Sequence, residues 1–110
     1  MNNRFDVIFL EQAIGFLESL DLKTRRKIYY NIDKARLGLD PKLFKKLTED
    51  IWEFRTKYSG MQYRLFAFWD KTGKTETLVI STHGIVKKVD KVPKAEIEKA
   101  MKIRKNYFEQ

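Results

Sequence analysis

The chain has 110 residues, 43% of them hydrophobic and 14% aromatic, so a single domain spanning 1–110 can bury a core unaided. It has no cysteine, which excludes disulfides, thiolate metal sites and cysteine nucleophiles. No apolar run is long enough to span a bilayer and the N-terminus lacks a signal-peptide core, so a cytoplasmic setting without a membrane partner is expected. Lys and Arg outnumber Asp and Glu by 23 to 15, a net charge of +8 that points to a polyanionic partner, usually nucleic acid. Five of those eight net charges fall between His83 and Lys105; the plainer account of that segment is a solvated surface helix.

Phe5 to Phe9 alternates and predicts a short first strand. Leu10, Ala13, Ile14, Leu17 and Leu20 recur at helical spacing and predict a first helix. Asp21 is a cap for a second helix with the stripe Ile28, Ile32, Ala35 and Leu39, and Gly38 suits a left-handed C-terminal cap. Asp40-Pro41 breaks the chain, because the proline ring forces the preceding residue out of helical geometry. From Ile51 to Tyr58 the period becomes two, the mark of a half-buried strand. Ser59-Gly60 is a turn, Gln62 to Trp69 a central strand, Asp70 to Lys74 a hairpin loop, and Glu76 to Thr82 the last strand, ending at His83. Pro93 opens a final helix whose apolar side is Ile97, Ala100, Met101, Tyr107 and Phe108. The expected order is β-α-α-β-β-β-α, an α+β fold with two N-terminal helices on an antiparallel sheet of about four strands, plus a C-terminal helix.

The chemistry available is restricted. His83 is the only histidine, so no triad and no two-histidine mechanism fits within one chain. The carboxylates are scattered, which argues against a metal-dependent nuclease, and no metal or other cofactor is expected. A cationic site can still cut RNA, because the 2′-hydroxyl supplies the nucleophile. The protein must help remove its proton, stabilise charge on the phosphoryl oxygens and protonate the departing 5′-oxygen. Arginine suits the second task, with a planar fork that meets two phosphate oxygens. Crowding of Lys87, Lys88 and Lys91 would lower a lysine pKa toward general-base use.

Arg55 and Arg64 lie on successive strands across a short turn, so antiparallel pairing brings them together. Arg55 either meets phosphate or pairs with a carboxylate such as Glu53. Arg64 interrupts the apolar run Tyr63 to Trp69, and an unpaired buried charge there would be costly, so it is expected to reach an exposed groove. A lone histidine at a strand end more often makes structural hydrogen bonds than catalyses. Tyr107 belongs by spacing to the core, with its phenol at a groove rim as the alternative. Trp52 and Trp69 read as core aromatics.

Trp52-Glu53-Phe54-Arg55, Gly60 to Phe66 and His83 to Pro93, followed by Glu96 to Ala100, Arg104 and Tyr107, together resemble the phage-derived, HigB-like branch of the RelE/ParE toxin superfamily over nearly the whole chain. The resemblance implies the toxin of a type II toxin–antitoxin system, an endoribonuclease that cuts mRNA in the ribosomal A site. Its partners would be the ribosome and a cognate helix-turn-helix antitoxin, joined in a hetero-oligomer. By motif position Arg55, Arg64, Lys87 and Lys88 would bind and polarise the phosphate, with Glu53 as an acid/base residue or as a partner for Arg55. Lys57, His83, Lys91, Arg104 and Tyr107 would contact RNA. Ile85 stands where an aromatic is common, and Val92 where a threonine caps the last helix, weakening that cap by ~1 kcal/mol. Two rival functions share the charge: ParE-like inhibition of DNA gyrase, and a non-catalytic RNA- or ribosome-binding module.

Overall fold

The computed structural model describes residues 5–38, 40–73, 78–88 and 91–110. Leu39, residues 74–77 of the expected loop and strand, and Val89-Asp90 of the third motif lie outside the described residues. The fold is α+β: β1 (Asp6–Phe9), α1 (Glu11–Glu18), α2 (Leu22–Leu37), β2 (Phe44–Lys46), β3 (Trp52–Tyr58), β4 (Met61–Asp70), β5 (Leu78–Lys87) and α3 (Lys94–Phe108). No helix of the described residues is long and apolar enough to cross a membrane.

The sheet has five strands in the order β1-β5-β4-β3-β2. That is one more than expected, and it is mixed, since β1 runs parallel to β5 while the other pairs are antiparallel. The extra strand carries no periodic signal, because Phe44 stands among lysines and breaks no pattern. Its ring is nonetheless buried, stacked on Phe54 at 4.4 Å and Trp52 at 4.8 Å and close to Phe5 and Trp69.

Strand alternation sends two sets of side chains to opposite faces. Phe54, Tyr63, Leu65, Ala67 and Val79 meet Leu17 of α1 and Ile28, Ile32 and Ala35 of α2, with Trp52 and Trp69 at the margin. On the other face Phe66, Phe68 and Ile80 pack under Ala100, Ile97 and Tyr107 of α3. Asp21 caps α2 by accepting the Thr24 backbone N–H at 2.7 Å. Gly38 is extended (φ −166°, ψ 145°) and makes no left-handed cap, correcting that expectation. Ser59 (φ 52°) and Gly60 (φ 80°) form the two-residue turn joining β3 to β4, with Tyr58 paired to Met61.

The last strand does not stop at His83. β5 runs on to Lys87 through a bulge: Leu65 faces Gly84 and Ala67 faces Ser81, so Thr82 and His83 together oppose Phe66. The Ser81 and Thr82 hydroxyls donate to the Phe66 carbonyl at 3.2 and 3.3 Å. One extra residue reverses the alternation beyond it. Ile85 therefore joins Ile80 in the core under α3, and Val86 turns to the opposite core. Gly84 sits against the Phe16 ring of α1, where any Cβ would collide.

Candidate functional site

The bulge puts Lys87 on the same face as Arg64, because Arg64 pairs with Ile85 and Gln62 with Lys87 across β4 and β5. Across β3 and β4, Arg55 pairs with Arg64 and Lys57 with Gln62. Two adjacent rows result, Arg55–Arg64–Ile85 and Lys57–Gln62–Lys87. Glu53 occupies the next position on the same face of β3, with Lys45 of β2 opposite it. Local alternation on β3 and β4 built this grid, and the turn at Ser59-Gly60 set its register.

Glu53 is 3% exposed and lies between the two guanidinium groups, with Arg64 Nε 3.2 Å from Oε1 and Arg55 Nε 3.5 Å from Oε2. Arg64 is itself only 3% exposed, yet it lines a groove, as expected of it. Its charge tolerates burial because Glu53 stands diagonally across the strand pair. Arg64 Nη2 donates to Gln62 Oε1 at 2.8 Å and Nη1 to the Tyr63 carbonyl at 3.1 Å. Neither Arg64 Nε, Arg55 Nε nor Glu53 Oε1 completes a hydrogen bond, so the pairing is mainly coulombic. A guanidinium has five N–H donors, so Arg64 keeps donors beyond the two it uses.

Burial pushes the Glu53 carboxyl above its ordinary value, while Arg64, Arg55, Lys87 and Lys45 pull the other way. Burial likewise lowers the Arg64 pKa, with Glu53 opposing and Arg55 assisting that shift. These guanidinium groups sit at a groove of about 470 Å³ whose lining includes three consecutive β3 residues, Arg55, Thr56 and Lys57. β2 pairs with β3 at Trp52 to Phe54 and the Arg55 backbone N–H still donates to the Leu43 carbonyl at 2.7 Å, so the groove lies where that pairing ends. Among the described residues that line it, six of ten are cations (Lys27, Lys34, Lys42, Arg55, Lys57 and Arg64) and none is a carboxylate. Such a cleft concentrates anions.

Lys27, Lys34, Lys42 and Gln62 were absent from the expected site. The signal for Lys27 and Lys34 was their separation of seven residues, which aligns them on one helix face. Which way that face points is decided by packing. Lys88 and Lys91 are exposed, Lys88 one residue past the end of β5.

The remaining expected residues lie elsewhere. His83 is 2% exposed, with Nδ1 3.0 Å from Thr82 Oγ1 and Nε2 3.0 Å from Glu96 Oε1. It ties α3 to the sheet, and both ring nitrogens are engaged there by Thr82 and Glu96. Desolvation holds its pKa below the ordinary value against the Glu96 hydrogen bond. Tyr107 packs on Phe68, and its hydroxyl donates to Asp70 Oδ2 at 2.7 Å. Asp70 is six residues along β4 from Arg64, about 20 Å away. Arg104 lines a second groove at that far end, with Trp69, Lys71 and Phe108, and lies 3.6 Å from Asp50.

The family model described as phage-derived protein Gp49-like (DUF891) matches residues 15–105. No curated protein matches the chain significantly.

Proposed function

Because that match covers most of its length, the chain belongs to the phage-derived Gp49-like family, a RelE/toxin-like family, and from this premise we propose that it is a toxin of a type II toxin–antitoxin system that cuts mRNA. The observation that carries the proposal is the pair Arg55 and Arg64, adjacent in register, braced by one buried carboxylate and lining a groove with no acidic side chain among its described residues. Two guanidinium groups so braced form a preorganised receptor for phosphoryl charge, the feature that transition-state stabilisation requires.

The reaction we assign is attack of the RNA 2′-hydroxyl on the adjacent phosphorus, leaving a 2′,3′-cyclic phosphate and a 5′-hydroxyl. Arg55 and Arg64 take up the charge that develops on the phosphoryl oxygens. The Lys87 ammonium protonates the departing 5′-oxygen, and the 2′-hydroxyl proton leaves to water. Glu53 acts as a positioning residue that fixes both guanidinium groups. Lys88 and Lys91 serve as outer cations that attract the polyanion. The ribosome presents the mRNA in its A site, and a helix-turn-helix antitoxin neutralises the toxin by covering the basic groove.

The test is to express wild type, Arg55→Ala and Lys87→Ala in cells and map mRNA 5′ ends. Wild type should generate new 5′-hydroxyl ends, and each variant should reduce them by roughly 10²-fold. Growth arrest with intact mRNA and accumulating DNA breaks would favour gyrase inhibition instead. Ribosome binding with no cleavage by any variant would favour a binding module.

A further inference from the structure

We propose that the outward face of α2, formed by Lys27, Tyr30 and Lys34, is a second contact for single-stranded RNA, which takes the nucleotides flanking the bound phosphate. Tyr30 is 56% exposed, the most exposed of the large apolar side chains among the described residues. Lys27 Nζ lies 5.1 Å and Lys34 Nζ 5.5 Å from its ring centroid. The spacings of three and four residues put all three side chains on one face, with the lysines about 10 Å apart along the axis. An open aromatic flanked by two ammonium groups matches what single strands offer, a base with a π-face between two phosphates.

The same two lysines line the basic groove together with Arg55 and Lys57, which project from the sheet face opposite α2, so the groove passes around the edge of β3. On the α2 side of that edge Asn31 Nδ2 donates to Thr56 Oγ1 at 3.1 Å, and both residues are buried. A chain that follows the groove from Arg55 around the edge of β3 therefore comes to Lys27 and Lys34, with Tyr30 beside them. When a base settles on the Tyr30 ring, the lysine over that face is released to the neighbouring phosphate, so ring and cations are used together. The tyrosine thus acts on bases of any identity, and the site would add affinity without sequence preference. The identity of the ligand as RNA rests on the ribonuclease reading given above, while the geometry of the α2 face stands apart from it.

The test uses a fluorescently labelled 12-nucleotide RNA, fully 2′-O-methylated so that it cannot be cut, and a 3-nucleotide version of the same kind. Fluorescence anisotropy gives Kd for wild type, Tyr30→Ala, Tyr30→Phe and Lys27→Ala/Lys34→Ala over a range of salt. Tyr30 and Lys34 are exposed and Lys27 is half-buried, and circular dichroism checks that each variant is folded. Tyr30→Ala should weaken the 12-mer about tenfold and leave the 3-mer unchanged, and Tyr30→Phe should restore binding. The double lysine variant should reduce the salt slope by about 1.4, corresponding to two phosphate contacts at ~0.7 each. Unchanged 12-mer affinity and slope in folded variants would overturn the proposal. So would variants that keep RNA affinity and lose binding to poly-glutamate, which would mark the face as a protein-docking surface.

Cleavage in a translating extract separates the two proposals. A wild type that binds the 12-mer through Tyr30 and cuts nothing removes the ribonuclease reading and leaves the α2 site. A wild type that cuts, with 12-mer binding indifferent to Tyr30 and the lysines, does the reverse.

Discussion

Replacing Arg64 with methionine keeps most of the side-chain volume and removes the charge facing Glu53. The Glu53 carboxylate would then keep only the Arg55 contact at 3.5 Å, which is not a hydrogen bond, while remaining almost wholly enclosed. Removing one member of a buried ion pair costs about 3–5 kcal/mol, because the other charge stays desolvated. Glu53 can relieve part of this by taking up a proton, since burial already raises its pKa, so a loss near the lower end of that range is expected. With a urea m-value of about 2 kcal/mol/M, the unfolding midpoint should fall by about 1.5 M. Replacing both residues, as Arg64→Met/Glu53→Met, leaves no buried charge and should return stability to within ~1 kcal/mol of wild type. The assay is urea unfolding followed by the fluorescence of Trp52 and Trp69. A single variant within about 0.5 kcal/mol of wild type would refute the buried pair, and a double variant that loses the sum of both single effects would refute the coupling.

Two groups should impose opposite pH dependences. His83 has a folded pKa below its ordinary 6.5, so the unfolded chain binds the proton more readily and stability falls as pH drops through 6.5 toward the folded value. Glu53 has a folded pKa above its ordinary 4.5, so its contribution is lost as pH rises from 4.5 through the raised value. Thermal melts of wild type, His83→Gln and Glu53→Gln from about pH 4 to 8 should show each slope vanish in its own variant. Gly84→Ala should lower stability by about 1–3 kcal/mol, because the new methyl meets the Phe16 ring in a packed layer; a Tm unchanged by calorimetry would contradict that contact. Tyr107→Phe removes the hydrogen bond to the Asp70 carboxylate and should cost about 1.5–3 kcal/mol in urea unfolding, with no loss if the phenol is free.

Much of the fold was legible because its signals are local. The helical stripe Ile28, Ile32 and Ala35, the Asp21 cap and the Ser59-Gly60 turn each depend on neighbours a few residues away. The juxtaposition of Arg55 and Arg64 followed from the same source, since a two-residue turn sets the register of everything beyond it. Strand β2 was not legible, because one phenylalanine among lysines becomes a strand only through aromatic partners distant in sequence, Phe5, Phe54 and Trp69. That β5 runs past His83 to Lys87 is not legible for a related reason. A bulge depends on what the facing strand can accept, here the Phe66 carbonyl.

The sequence by itself determined the net charge, the absence of thiol chemistry, the α+β order and the presence of two arginines on adjoining strands. Tertiary structure alone decided which cations share a site. The bulge reverses the alternation of β5, so Lys87 lies in register with Gln62 beside Arg64, and Lys88 falls outside the strand. Packing of α2 on β3 brought Lys27 and Lys34 to the same groove as Arg55, a meeting that residues some twenty positions apart cannot announce. Charge is a property of composition, but an electrostatic site is a property of distance, and distance between remote residues is set only when the core closes.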